Sequence, residues 1–106
     1  MNDQKKMLIV DDEADIVGTL QVYLSENGYK TLGCISAKVA LDAIKKYGFD
    51  ILLVDLVMPE MNGRDLAKNI LPFYPNLHCL FMSGYTANVI AHHGVLDKGV
   101  NFIPKP

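Results

Sequence analysis

Short apolar runs recur along the chain, and four of them end on a polar residue. These runs are MLIV, ILLV, LFM and NFIP, which lead into Asp11, Asp55, Ser83 and Lys105. Runs of about four residues rich in Val, Ile and Leu are typical of strands buried on both faces, as in a parallel sheet. The strands are predicted to begin near Met7, Lys30, Ile51, Leu77 and Val100.

Helical patterns lie between these strands. The first is predicted over about 13–27, with an apolar stripe at i, i+4 and i+8 formed by Ile16, Leu20 and Leu24. The Asn27-Gly28 pair predicts its end, because Gly adopts the left-handed conformation that often closes a helix. Alternation of strands and helices at this spacing predicts a doubly wound parallel α/β sheet with right-handed crossovers.

Two shorter helical patterns and one weaker pattern follow. Ser36 is the predicted cap of the second helix, Gly48 marks its end, and Pro72 stops the third helix, which starts after 62–63. The positions predicted to be buried are Ala37, Ala40, Leu41 and Ile44 on the second helix and Leu66 and Ile70 on the third. A fourth helix is predicted over about 87–92.

Composition narrows the function classes. A chain of 106 residues, half of them hydrophobic, fits one packed domain over 1–106. The net charge of −2 gives no sign of a surface for nucleic acid or membrane. There is no signal peptide and no apolar stretch near the ~20 residues of a membrane span, so we expect a cytoplasmic domain. Cys34 and Cys79 form no CxxC pair and are expected to be buried reduced thiols.

The polar residues at the strand ends carry the candidate chemistry. The carboxyl ends of parallel strands lie along one edge of the sheet, so Asp11, Asp12, Asp55, Ser83 and Lys105 are expected to gather there. Three ionised carboxylates repel one another, so the group must keep a proton or hold a cation. Oxygen ligands without His or Cys favour Mg²⁺, Mn²⁺ or Ca²⁺. A lysine and a hydroxyl beside such a metal suit phosphoryl oxygens.

Each of these residues also has a simpler interpretation when taken alone. The pair at 11–12 could cap the first helix, Asp55 and Ser83 could be turn residues, and Lys105 could be a solvated lysine. Their joint occurrence at separate strand ends favours a site. In the loop DLVMPEMNG, Pro59 restricts the backbone and Gly63 permits a tight turn, which suits the backbone carbonyl of Val57 as a metal ligand.

Four strings together resemble the receiver domain of two-component response regulators. They are VDDE, LVDLVMPEMNG, MSGYTA and the terminal IPKP, and they follow the family's order and spacing along the whole chain. The resemblance implies a flavodoxin-like fold, with a five-stranded parallel sheet of order 2-1-3-4-5. It also implies a phosphorylatable signalling domain rather than an enzyme. Such a domain takes its phosphoryl group from a partner histidine kinase or histidine phosphotransfer domain.

The resemblance also implies roles for individual residues. Asp55 is then the phosphoacceptor and, with Asp12 and the carbonyl of Val57, a ligand of Mg²⁺, while Asp11 acts mostly through water. Lys105 pairs with the phosphoryl group. Ser83 moves to bond that group, and Phe102 is the switch aromatic that turns inward in response.

One departure from the family pattern is the absence of a last helix after the fifth strand. We expect a C-terminally truncated domain whose uncovered face either weakens it or pairs with a second copy as a homodimer. The last 24 residues resemble receivers at the C-terminal end of hybrid histidine kinases, which would explain a cut from a longer chain.

Three other classes fit less well. A phosphatase of the haloacid-dehalogenase type needs a second Asp two residues after its nucleophile, where this chain has Val57 after Asp55 and Glu13 after Asp11. A receiver-like module that is never phosphorylated would be expected to lack part of the acidic set or the lysine. A flavodoxin relative would need Gly, Ser or Thr in the first loop.

Overall fold

The computed structural model describes residues 4–58 and 61–83, together with the backbone of 102–104. The strands are β1 (Lys6–Val10), β2 (Lys30–Cys34), β3 (Ile51–Asp55), β4 (His78–Ser83) and β5 (Phe102–Pro104). The helices within the described ranges are α1 (Ala14–Glu26), α2 (Ala37–Lys46) and α3 (Gly63–Ile70).

The five strands form one parallel sheet. Their order is β2-β1-β3-β4-β5, which confirms the predicted topology. In this register Val10 of β1 lies beside Val54 of β3, and Asp55 lies beside Met82 of β4. The ends of the three central strands therefore meet at one edge of the sheet.

Successive residues of each strand point to opposite faces, and both faces are covered. Leu8 and Val10 of β1 belong to the larger core cluster, which includes Ile44 of α2 and Leu66 of α3. Met7 and Ile9 belong to a smaller cluster on the opposite face, which includes Val17 of α1. Burial on both faces explains why the strands are continuous apolar runs rather than alternating patterns.

The helix ends largely follow the predicted signals. Gly28, just beyond α1, has a φ of 93°, a left-handed conformation that glycine adopts without strain. The Ser36 hydroxyl accepts a hydrogen bond from the Val39 N–H at 3.2 Å, as expected for the cap of α2. Asn62 caps α3 in the same way, with its side-chain oxygen accepting from the Asp65 N–H at 2.8 Å.

Several details differ from the sequence prediction. β1 starts one residue earlier than predicted and β4 one residue later, whereas Val100, the predicted start of β5, lies outside the described residues. The buried residue of α1 is Val17, whereas Ile16, Leu20 and Leu24 are only partly buried. All four residues pack on the smaller core cluster, with Val17 buried inside it and the other three at its border. The predicted fourth helix lies outside the described residues.

Candidate functional site

Three carboxylates meet at the carboxyl edge of the sheet. Asp11 follows β1, Asp12 is next to it, and Asp55 is the last residue of β3. Each side chain offers an oxygen, and these oxygens all lie within 4.8 Å of one another. The cause is the direct pairing of β1 with β3, which places residues 11 and 55 side by side.

The three carboxylates differ in their exposure to solvent. Asp11 is completely buried and Asp55 is 2% exposed, whereas Asp12 is exposed. Burial removes the water that would screen the repulsion between ionised carboxylates. Two buried carboxylates this close to a third therefore favour the binding of a cation.

The main chain that follows each buried carboxylate holds one of its oxygens. The N–H of Glu13 donates to Oδ1 of Asp11 at 2.9 Å. The N–H of Val57 donates to Oδ1 of Asp55 at 3.2 Å. Both bonds run from residue i+2 back to the side chain of residue i, a local turn that Asp forms readily. The sequence of each loop thus orients its own carboxylate.

The simpler interpretation of the acidic pair, as the cap of α1, does not match this geometry. Glu13 occupies the cap position, and its side chain makes no capping hydrogen bond. Asp11 instead bonds the N–H of Glu13, before the helix begins. Asp12 has no capping role because it precedes the cap position.

The donor set fits a hard divalent cation. Among the described residues, the only group able to hold a metal consists of carboxylates, without His or Cys. Carboxylate oxygens with room for water are the ligands that Mg²⁺ prefers. Val57, whose main-chain carbonyl is a predicted ligand of the cation, lies at this edge with its side chain 46% exposed.

Ser83 lies on the other side of Asp55. It is the last residue of β4, is 1% exposed, and follows Met82, the residue paired with Asp55. The main-chain N–H of Leu56 donates to the carbonyl oxygen of Met82 at 2.9 Å, which extends the pairing past Asp55. This bond could not be foreseen from the sequence, because it depends on the register between two strands.

Two predicted site residues lie at or beyond β5. Phe102 is the first residue of β5 and is paired with Phe81 of β4, and its side chain lies outside the described part of the structure. Pro104 is paired with Ser83. Lys105, the next residue, lies outside the described residues, and its predicted role stays a prediction.

Neither cysteine belongs to the acidic group. Both are free thiols; Cys34 is buried as predicted, whereas Cys79 is only partly buried. The carbonyl oxygen of Cys34 accepts the N–H of Asp11 at 3.1 Å, so its main chain supports the site. Burial raises the pKa of the Cys34 thiol and favours its neutral form, which is a poor metal ligand.

No helix in the described part of the chain is long and apolar enough to cross a membrane.

Comparison with known families decides what kind of acidic site this is. The family model of the response regulator receiver domain matches residues 7–106. The chain belongs to this family. A receiver domain of two-component systems is a phosphorylatable signalling domain, which agrees with the resemblance seen in the sequence.

Individual relatives share this domain within longer proteins. The chain is 31% identical over 102 residues to the sensor kinase CckA of Brucella abortus, a match covering 94% of this chain and 11% of that protein. It is 42% identical over 64 residues to the response regulator SaeR of Staphylococcus aureus, covering 60% of this chain and 28% of that protein. The chain thus corresponds to a small part of each curated relative.

A solved structure shows the same fold. The receiver domain from the hybrid histidine kinase CckA superposes with a TM-score of 0.77 at 27% sequence identity. The match covers 95% of this chain and 85% of that one.

Proposed function

We propose that Asp55 is the residue of this receiver domain that accepts the phosphoryl group. Its position in the sheet is the observation that carries the proposal. β3 lies between β1, which leads into Asp11 and Asp12, and β4, which ends in Ser83. Asp55 therefore has the carboxylates that would hold a cation on one side and a hydroxyl donor on the other.

The other two carboxylates suit the acceptor role less well. Asp11 follows β1, which lies on the opposite side of β3 from β4, so Asp55 lies between Asp11 and the hydroxyl of Ser83. Asp12 is exposed, and water around it would compete with its carboxylate for the partner's phosphoryl group and would hydrolyse the product. Asp55 is nearly buried yet is the last residue of its strand, where a docked partner can reach the edge.

The proposed reaction is a transfer between two protein side chains. A carboxylate oxygen of Asp55 attacks the phosphorus of a phosphohistidine on a histidine kinase or histidine phosphotransfer domain. The oxygen–phosphorus bond forms as the nitrogen–phosphorus bond breaks, and the electron pair of that bond returns to the imidazole. The product is an acyl phosphate on Asp55.

We propose Mg²⁺ as the cofactor, held by Asp12, Asp55 and the carbonyl of Val57, with Asp11 acting mostly through water. When bound, Mg²⁺ neutralises charge on the phosphoryl oxygens and on the carboxylates around them. Asp11 and Asp55 are already oriented by the main-chain bonds from Glu13 and Val57, so little rearrangement is needed to bind the cation. Lys105 is proposed to add a second positive charge toward the phosphoryl group.

The proposed output is a change of surface. Ser83 would donate a hydrogen bond to the phosphoryl group, and Phe102 would turn inward as Ser83 moves. β4 and β5 are paired neighbours, which supports a coupling between these two positions. Likeness to the receiver of CckA supports the further proposal that this domain belongs to a hybrid histidine kinase. Cytoplasmic location and homodimer formation stay predictions from the sequence.

Intact-mass spectrometry tests the acceptor assignment. The parent, Asp55→Asn and Asp42→Asn are incubated with a small phosphodonor, with and without Mg²⁺. Asp42 is an exposed carboxylate on α2 and serves as the matched control. We expect a Mg²⁺-dependent gain of one phosphoryl group in the parent and in Asp42→Asn, and none in Asp55→Asn. An equal gain in folded Asp55→Asn would show that another residue is the acceptor.

A further inference from the structure

We infer that Gly63 positions the acceptor end of β3, because the main chain of Asp55 occupies the space that any larger side chain would need. Gly63 is the buried first residue of α3. A Cβ built on it would overlap the main-chain oxygen of Asp55 and would lie 2.9 Å from the carbonyl carbon of that residue. It would also lie 3.2 Å from Cα of Leu56.

The contact between Gly63 and the strand end is held by a hydrogen bond. The N–H of Gly63 donates to the carbonyl oxygen of Leu56 at 3.0 Å, and the N–H of Leu56 donates to Met82 at 2.9 Å. Leu56 is itself completely buried. The peptide units after Asp55 are therefore fixed between β4 and the start of α3, and the absence of a side chain at 63 sets how closely the two approach.

An added methyl group cannot be accommodated by a side-chain rotation, because the atoms it meets belong to the main chain. Either α3 or the carbonyl of Asp55 must move, and movement of that carbonyl changes the direction of the Asp55 side chain. Misplacement of a reacting group by about 1 Å can slow a reaction about 100-fold. Gly63 is thus a positioning residue, and this inference rests on the proposal that Asp55 is the acceptor.

Other residues of this chain provide matched controls. A Cβ on Gly33 would also meet close neighbours, but these are side-chain atoms of Val17 and Gln21 on α1, and β1 separates Gly33 from β3. Asn62→Ala removes the cap of α3 without adding an atom beside Asp55. A Cβ on Gly18 would meet nothing within 4 Å, so Gly18→Ala is expected to stabilise the domain and serves as the background for every variant.

The experiment compares Gly63→Ala, Gly33→Ala and Asn62→Ala in the Gly18→Ala background, each first shown to be folded by a cooperative thermal transition. Two quantities are measured: the initial rate of phosphoryl gain, and the dissociation constant for Mg²⁺ alone by calorimetry. We expect Gly63→Ala to react about 10- to 100-fold more slowly than the background and to bind Mg²⁺ more weakly. The two controls are expected to stay within about 3-fold of the background, since neither moves Asp55.

The outcomes separate this inference from the proposed acceptor role. If the Gly18→Ala background binds Mg²⁺ but gains no phosphoryl group, the acceptor assignment is contradicted. The dissociation constants for Mg²⁺ alone then decide the role of Gly63. The inference would be overturned if folded Gly63→Ala matched the background both in the initial rate of phosphoryl gain and in the dissociation constant for Mg²⁺. Equal losses in Gly33→Ala or Asn62→Ala, or a Gly63→Ala variant that does not fold, would also overturn it, because the residue would then have only a structural role.

Discussion

Leu56 and Met82 are joined by a main-chain hydrogen bond of 2.9 Å, one residue past the point where Asp55 and Met82 are paired. The bond keeps β3 and β4 together beyond the carboxylate. Ser83, the residue after Met82, is consequently held at the same edge, and both Asp55 and Ser83 are almost fully buried. The spacing between carboxylate and hydroxyl is thus set by the sheet rather than by a loop.

This relationship predicts the effect of removing the hydroxyl. We expect Ser83→Ala to accept a phosphoryl group about 10- to 100-fold more slowly than the parent. The reason is that a hydrogen bond to a charged group contributes about 1.5–3 kcal/mol, and this variant loses one that would form to the phosphoryl oxygens. The measurement is the initial rate of mass gain with a small phosphodonor and Mg²⁺.

Ser83→Thr is the control for this prediction, because it keeps the hydroxyl and adds one methyl group. It is expected to react at a rate close to that of the parent. If Ser83→Ala reacts as fast as the parent, the hydroxyl makes no bond to the reacting group. Complete loss of reaction in folded Ser83→Ala would instead give the hydroxyl a role as essential as that of Asp55.

The strand order and the acidic edge could be predicted from the sequence because both depend on local patterns. The apolar runs before Asp11 and Asp55 identify strands buried on both faces, and the topology of alternating strands and helices brings their ends together. The start of β4 was less predictable. The apolar string begins at Leu77, whereas the pairing with β3 begins at His78, and pairing is decided by the neighbouring strand.

Features that depend on packing between parts of the chain that are distant in sequence could not be predicted. The sequence indicated a tight turn at Gly63, but the closeness of its Cα to the main chain of Asp55 is a property of how α3 packs. The apolar stripe of α1 likewise gave no sign that Val17 would be its buried residue. Helical periodicity identifies a face of about 100° or more, and the packing partner decides which residue lies at its centre.

The acidic edge predicts that metal addition and charge removal each raise the free energy of unfolding. Mg²⁺ is expected to raise the free energy of unfolding of the parent, because it binds the folded arrangement of carboxylates and not the unfolded chain. Asp55→Asn, measured in a chelator, is expected to be more stable than the parent by about 1–2 kcal/mol, since it removes a charge from a buried like-charge cluster. Urea denaturation with and without Mg²⁺ measures both effects.

The same measurement on Asp42→Asn provides the comparison for Asp55→Asn. Asp42 is exposed on α2, away from the acidic group, so its removal should change stability by less than about 0.5 kcal/mol and leave the response to Mg²⁺ intact. If the chelated Asp55→Asn variant is less stable than the parent, the hydrogen bonding of Asp55 outweighs the repulsion between these carboxylates. An undiminished response to Mg²⁺ in that variant would exclude Asp55 as a ligand.

Gly18 offers a prediction about stability alone. It is an exposed residue inside α1, and a Cβ on it would meet no atom within 4 Å. Gly18→Ala is expected to raise the free energy of unfolding by about 0.5–1 kcal/mol, because Gly loses more backbone entropy than Ala in a helix. The midpoint of urea unfolding measures the gain, with the rate of phosphoryl uptake as a check that the site is unchanged. A lower midpoint would mean that α1 has a contact at this position.

The partly buried thiol of Cys79 predicts how stability changes in alkaline solution. Burial raises the pKa of this thiol from 9.0 to about 11. Between these two values the unfolded chain has lost the proton while the folded domain retains it, so unfolding releases a proton. The stabilisation is complete below about pH 9 and is lost as the pH rises to about 11.

The effect of Cys79 can be isolated by substitution. Between about pH 9 and pH 11 the free energy of unfolding should fall more steeply in the parent than in Cys79→Ala, by at most about 1.4 kcal/mol per pH unit. Lysines and tyrosines titrate in the same range but are common to both proteins, and Cys34 contributes in the same direction in both. The loss of a side chain from the core lowers the stability of Cys79→Ala at every pH. The quantity compared is therefore the slope of the free energy of unfolding against pH in each protein. Parallel curves would show that the Cys79 thiol ionises as readily in the folded domain as in the unfolded chain.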